Sequence, residues 1–111
     1  MLHQRTYAFE PSARGAYAIV NAVGELDIAA VGEMRTAVRC AARRASHVVV
    51  DLRPATFMDT FALCALVALS EEAVPGDWSL HVVPGAAVQR LLDLTGARDD
   101  LRWISPEQLV G

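Results

Sequence analysis

Lysine is absent from this 111-residue chain; all ten basic residues are arginine, a bias of composition rather than of chemistry. Thirteen acids outweigh them, leaving a net charge of -3 and a pI near 5.5. No broad basic surface of the kind that holds nucleic acid or an anionic membrane is expected from that balance. Arg39, Arg43 and Arg44 form the one basic cluster and fit the negative end of a helix better than a binding patch. Cysteine is scarce, with two in the chain. Cys40 and Cys64 lie far apart, each inside an apolar helical pattern, and read as buried thiols rather than a disulfide or redox pair. No run approaches the length of a membrane span, and MLHQRTYAFE has no signal-peptide core, so the expectation is a cytoplasmic protein with no direct membrane insertion.

Catalytic patterns are also missing. His3, His47 and His81 have no carboxylate or cysteine at ligand spacing, so surface or structural roles are expected, with no metal. There is no glycine-rich phosphate loop, no Gly-x-Ser-x-Gly elbow and no paired CxxC, so neither a cofactor nor an enzyme activity is expected. Glu71-Glu72 and Asp99-Asp100 read as solvated faces, and Trp78 and Trp103 as packing residues.

What the chain does have is apolar content: 53% of its residues are hydrophobic, enough for one core in one domain over residues 1–111. Residues 4–9 alternate modestly as an edge strand. Pro11, Ser12 and Gly15 supply turn chemistry before a second strand, Tyr17–Val23, and a hairpin is the economical way to join the two. Gly24-Glu25-Leu26-Asp27 breaks the strand and leads into a helix over Ala29–Arg44, with Val31, Met34, Val38 and Ala41 on one face. His47–Leu52 is a β-branched run suited to a strand covered on both sides. Pro54 ends it, and a short loop leads to a helix from Thr60 to about Ala73, with Leu63, Leu66, Val67 and Ser70 on one face. Pro75-Gly76-Asp77 stops that helix. A strand at Trp78–Val83 and a third helix opened by Pro84-Gly85 come next, with Val88, Leu91, Leu92 and Thr95 inward and Gly96 left-handed beyond its end. Leu101–Ile104 reads as a last strand, and Ser105-Pro106-Glu107 as the start of a terminal helical turn. The order β-β-α-β-α-β-α-β-α predicts an α/β fold: an open mixed sheet of about five strands, the first two a hairpin, with about four helices.

Val48–Leu66 organises this pattern. It reads as a buried strand delivering the N-terminus of an apolar helix, where Asp59 can accept from the free N–H groups of the first turn. Met58 and Leu63 flank that cap at positions whose side chains usually pack together. Such helix starts are common docking points for an anion or a partner.

Three stretches in sequence resemble the STAS family, the anti-sigma factor antagonist fold. Gly24-Glu25-Leu26-Asp27 is similar to its GELD turn. Asp51-Leu52 followed by Phe57-Met58-Asp59-Thr60 is similar to its DLS…FMDSSGL segment, without a gap. Val88-Gln89-Arg90-Leu91-Leu92 with Thr95-Gly96 is similar to its third helix. The resemblance covers residues 16–109 and implies a small bacterial switch protein that binds an anti-sigma factor, often a serine kinase, and so releases a sigma factor. It also implies partner contacts at Asp27, Asp59, Thr60 and Phe61, and a monomer or weak homodimer.

The same resemblance implies that the kinase phosphorylates a serine at the start of the second helix, breaking the complex. At that position this chain has Phe61, followed by Ala62 in place of glycine. Phe61 carries no hydroxyl. Thr60 does, but one residue early, turned by ~100° around the helix. Phe61 is either packed back onto its neighbours or exposed as an apolar anchor for a partner. The leading expectation is an anti-sigma factor antagonist-like protein lacking the phosphoserine switch. The alternatives are an accessory subunit of a membrane lipid transport assembly and a sensor holding a small ligand between sheet and helices.

Overall fold

The hairpin comes first in the computed structural model, which describes residues 6–109. Strand β1 (Tyr7–Arg14) runs antiparallel to β2 (Tyr17–Leu26), paired from Tyr7 opposite Gly24 to Arg14 opposite Tyr17. Gly15, at φ 58°, turns the chain between them. Pro11 and Ser12, expected in the turn, lie within β1 instead. Proline is tolerated there because β1 is an edge strand with an unpaired side that needs no N–H. His3, Gln4 and Arg5 lie outside the described residues.

Gly24, expected to break β2, bends it without ending it. At φ 87° it shifts the register, and the strand continues to Leu26. Its N–H donates to the Pro54 carbonyl at 3.2 Å, and that of Glu25 to the Thr6 carbonyl at 2.7 Å. A side chain at Gly24 would run into that Thr6 carbonyl, so the bulge requires glycine twice over.

The central strand β3 (His47–Asp51) lies parallel to β2 on one side and to β5 (Ser79–Val83) on the other. Val48, Val49 and Val50 are fully buried, as expected of a strand covered on both faces. The expected loop after Pro54 contains a further strand, β4 (Ala55–Met58), parallel to the far end of β2. Its four residues are too few for a readable alternation. They are held as a strand from outside, by pairing with Gly24–Leu26 of β2, and just beyond them Asp59 N–H donates to Leu26 O at 3.1 Å. The sheet order is β1-β2-β3-β5, with β4 beside β2. The strand expected at Leu101–Ile104 shrinks to a single bridge between Trp103 and Val82.

Helix α1 (Val31–Arg44), preceded by a 3-10 turn at Ile28–Ala30, buries Met34, Val38 and Ala41, the expected face. Helix α2 (Thr60–Gly76) takes Pro75 into its last turn and ends at Asp77, left-handed at φ 62°. Helix α3 (Ala86–Thr95) ends on Gly96 at φ 70°, as its sequence implied, and buries Val88 and Leu92, whereas Thr95, expected inward, is exposed at its last turn. The expected terminal helix is one 3-10 turn, Pro106–Leu109. The main core, with Leu26, Met34, Val38, Val48, Val50, Leu66 and Leu69, lies between the sheet and the helices. A smaller cluster of Ile19, Val49 and Val83 occupies the other face beneath Leu109 and Ile104.

Two local expectations are corrected. Cys40 and Cys64 are both exposed rather than buried. At about 100° per residue, Cys40 is turned some 200° from Val38 and Cys64 about 100° from Leu63, so neither shares the core-facing stripe. Glu72 is not merely solvated, because Arg39 bonds it through two nitrogens at 2.8 and 3.0 Å and so links α1 to α2.

Candidate docking site at the start of helix α2

Leu26 and Met58 are partners in the parallel pairing of β2 and β4, so Asp27 and Asp59 leave the sheet side by side. Both have extended backbones, and each carboxylate caps the helical turn that begins after it. Oδ1 of Asp27 accepts from Ala29 N–H at 3.0 Å at the start of the 3-10 turn, and Oδ1 of Asp59 accepts from Ala62 N–H at 3.0 Å at the start of α2. Met58 and Leu63, on either side of the Asp59 cap, are buried in one core, as the capping pattern predicted. The two acids are therefore first of all structural. They fix two helix starts at neighbouring positions on one end of the sheet.

Thr60 and Phe61 occupy the first two positions of α2, and both are exposed, Phe61 at 58% of its surface. Ala62, the next residue, is buried. The packed-back reading of Phe61 does not hold: its ring leaves most of its area in solvent. The structure thus brings together the four residues singled out in the sequence, two as caps and two as exposed neighbours.

Ile28, Phe57 and Leu94 were not expected as partner contacts, Phe57 entering only through the motif, yet they are among the large apolar side chains left exposed, at 61%, 50% and 84%. Ile28 lies in the turn capped by Asp27, which contacts α2. Phe57 lies in β4, two residues before the Asp59 cap. Leu94 lies on α3, which packs against β4. Between β4 and α3 runs a groove of about 380 Å³ whose walls include Phe57, Met58, Arg90, Leu91 and Leu94. The sequence signal for Leu94 was its place outside the apolar stripe of its own helix. Phe57 was hidden because β4 was not legible.

Two groups whose acidity the fold shifts lie elsewhere. Asp51 is buried at the end of β3. Burial alone would raise its pKa, but the Arg53 guanidinium at 2.7–3.2 Å and the Arg53 N–H at 3.0 Å hold it below the usual carboxylate value. On the same sheet face, Ser79 Oγ lies 2.8 Å from His47 Nδ1 and 3.2 Å from His81 Nε2. Burial first, then the charges of Arg102 and His47, push the His81 pKa down. Among the described residues, no three histidine, cysteine or acidic side chains gather as a metal site.

A scan of family models matches the STAS domain over residues 9–108. The chain belongs to the STAS family. The match takes in the hairpin, the bulge, the capped start of α2 and all three helices of this STAS domain. Among solved structures, it is similar to an anti-sigma factor antagonist from Mycobacterium paratuberculosis. That pair shares 20% identity and a TM-score of 0.76, over 93% of this chain and 90% of the other. It is also similar to the anti-sigma factor antagonist SpoIIAA in its unphosphorylated form, at 17% identity, TM-score 0.69 and 91% of each chain. A third similar structure is the Bacillus cell fate determinant SpoIIAA in its phosphorylated form, at 16% identity and TM-score 0.64, over 91% of this chain and 95% of the other. No curated protein matches the sequence. At these identities the likeness is one of fold. No helix among the described residues is long and apolar enough to cross a membrane.

Proposed function

We propose that this STAS domain binds an anti-sigma factor of the serine-kinase type at the start of α2, and that phosphorylation at the usual position does not control the complex. The observation that carries this reading is Phe61: an exposed phenylalanine two residues into a capped helix, where the family resemblance implies the acceptor serine. A phosphoserine there would bring about two negative charges to a partner surface and reverse its electrostatic fit. Phenylalanine offers that surface an apolar anchor and nothing to modify. Asp27 and Asp59 hold the two flanking helix starts in place, with Ile28 and Thr60 beside them. Likeness in fold to anti-sigma factor antagonists, one of them known in both unphosphorylated and phosphorylated forms, supports the choice of partner.

Mixing the purified protein with the anti-sigma kinases of its native host, with and without ATP, tests both halves. Binding that ATP leaves unchanged, with no phosphate on the chain, is the expected result. Phosphate transfer onto Thr60 would overturn the unswitched half, and failure of every kinase to bind would overturn the partner. The lack of a hydroxyl at Phe61 equally suits an accessory subunit of a membrane lipid transport assembly, and co-purification with a transport ATPase from membranes would favour that role.

A further inference from the structure

We propose that the groove between β4 and α3 receives a helix of the same regulatory partner, which places two apolar residues about one turn apart along the groove and an aspartate or glutamate against Arg90. This rests on the docking reading above and specifies its second contact.

Neither Phe57 nor Leu94 is used by the fold. In β4 the core is served by Ala55 and Met58, and in α3 by Ala87, Val88 and Leu92, while Phe57 and Leu94 stay half or more exposed. Single exposed apolar residues are ordinary, but here they belong to the two walls of one groove, which also takes in Thr60, the neighbour of exposed Phe61. Arg90 lines the same groove and makes no hydrogen bond or ion pair among the described residues. Asp59, the one carboxylate among the groove-lining residues, accepts from the Ala62 N–H through Oδ1 and makes no bond to Arg90. An unpaired guanidinium beside exposed apolar side chains is complementary to an acid on an apolar helix face.

Size argues for a helix. A four-residue strand turns only about half of its backbone groups outward, too few for strand addition to hold a partner. The groove walls are about 13 Å of strand and about 15 Å of helix, the length of two to three turns of a docked helix. At about 380 Å³ the space suits two side chains of such a helix and lies at the low end for a small-molecule site.

The experiment measures binding of host anti-sigma kinases to the full chain and to Phe57→Ser, Leu94→Ser, Arg90→Glu and Arg90→Lys by titration calorimetry, with melting curves for each protein. Phe57→Ser, Leu94→Ser and Arg90→Glu should each weaken a kinase that binds the wild type by about tenfold or more. Arg90→Lys should bind nearly as the wild type, the Arg90→Glu loss should narrow at high salt, and melting temperatures should hold. A kinase that binds all variants equally would overturn the groove and leave the α2 docking reading standing. If no kinase binds the wild type, that reading fails and this one with it. A homodimer in sedimentation that Leu94→Ser dissolves would assign the groove to a second copy of this chain and overturn the proposal.

Discussion

Asp59 and Phe61 are two residues apart and do opposite work. The carboxylate satisfies an N–H that α2 would otherwise leave bare, so Asp59→Ala should cost about 1 kcal/mol in urea denaturation, and Asp59→Asn much less. Phe61, exposed and beyond the cap, should tolerate replacement: Phe61→Ala is expected to leave stability within about 0.5 kcal/mol while weakening partner binding. Phe61→Ser adds a sharper measurement. If the helix start keeps the geometry of a phosphorylation site, mass spectrometry after incubation with a cognate kinase should find the new serine modified. Side-chain type is written in the sequence, so the caps and the missing hydroxyl were legible there. Exposure was not, because it depends on which neighbours the fold brings near.

At the scale of elements, the elements best read from sequence are those whose own pattern decides them. Helix α1 shows its apolar stripe, β3 its β-branched run, and α3 its terminal glycine. Strand β4 was missed, and β2 cut short, because both depend on distant partners. Gly24 looked like a strand breaker until the Thr6 and Pro54 carbonyls supplied hydrogen bonds that carry the strand through a bulge. That dependence predicts Gly24→Ala to be among the costlier single-methyl changes. The positive φ alone should cost about 1–3 kcal/mol, with the contact at Thr6 adding to it, and a thermal melt should show a clear drop. Strand β4 in turn sets Asp59 beside Asp27 and gives Phe57 its place on the groove. The least legible element is therefore the one that assembles the site.

At the scale of the whole molecule, buried Asp51 and half-buried His81 contribute to how stability responds to acid. His81 has a depressed pKa in the fold, so the unfolded chain takes up its proton first. Its contribution is complete above the unfolded value of about 6.5 and is lost as pH falls through the lower folded value. Asp51 has the same sign at lower pH. Its contribution is present above about 3.9 and disappears as pH falls through its depressed folded value. Melting temperature should therefore fall in two stages, the first below about pH 6.5 and the second below about pH 3.9, and His81→Gln should flatten the upper stage while sparing the lower.

The sequence by itself determined the α/β class, the hairpin, the core face of α1, the Asp59 cap and the absence of a hydroxyl at position 61. Each comes from local periodicity or from the chemistry of one side chain. Only the tertiary structure decided that β4 exists, that Asp27 and Asp59 emerge together, that both cysteines face solvent, and that Phe61, Phe57 and Leu94 are left uncovered around one end of α2. Those outcomes rest on hydrogen bonds and packing between residues far apart in the chain. A window of neighbouring residues holds no record of them.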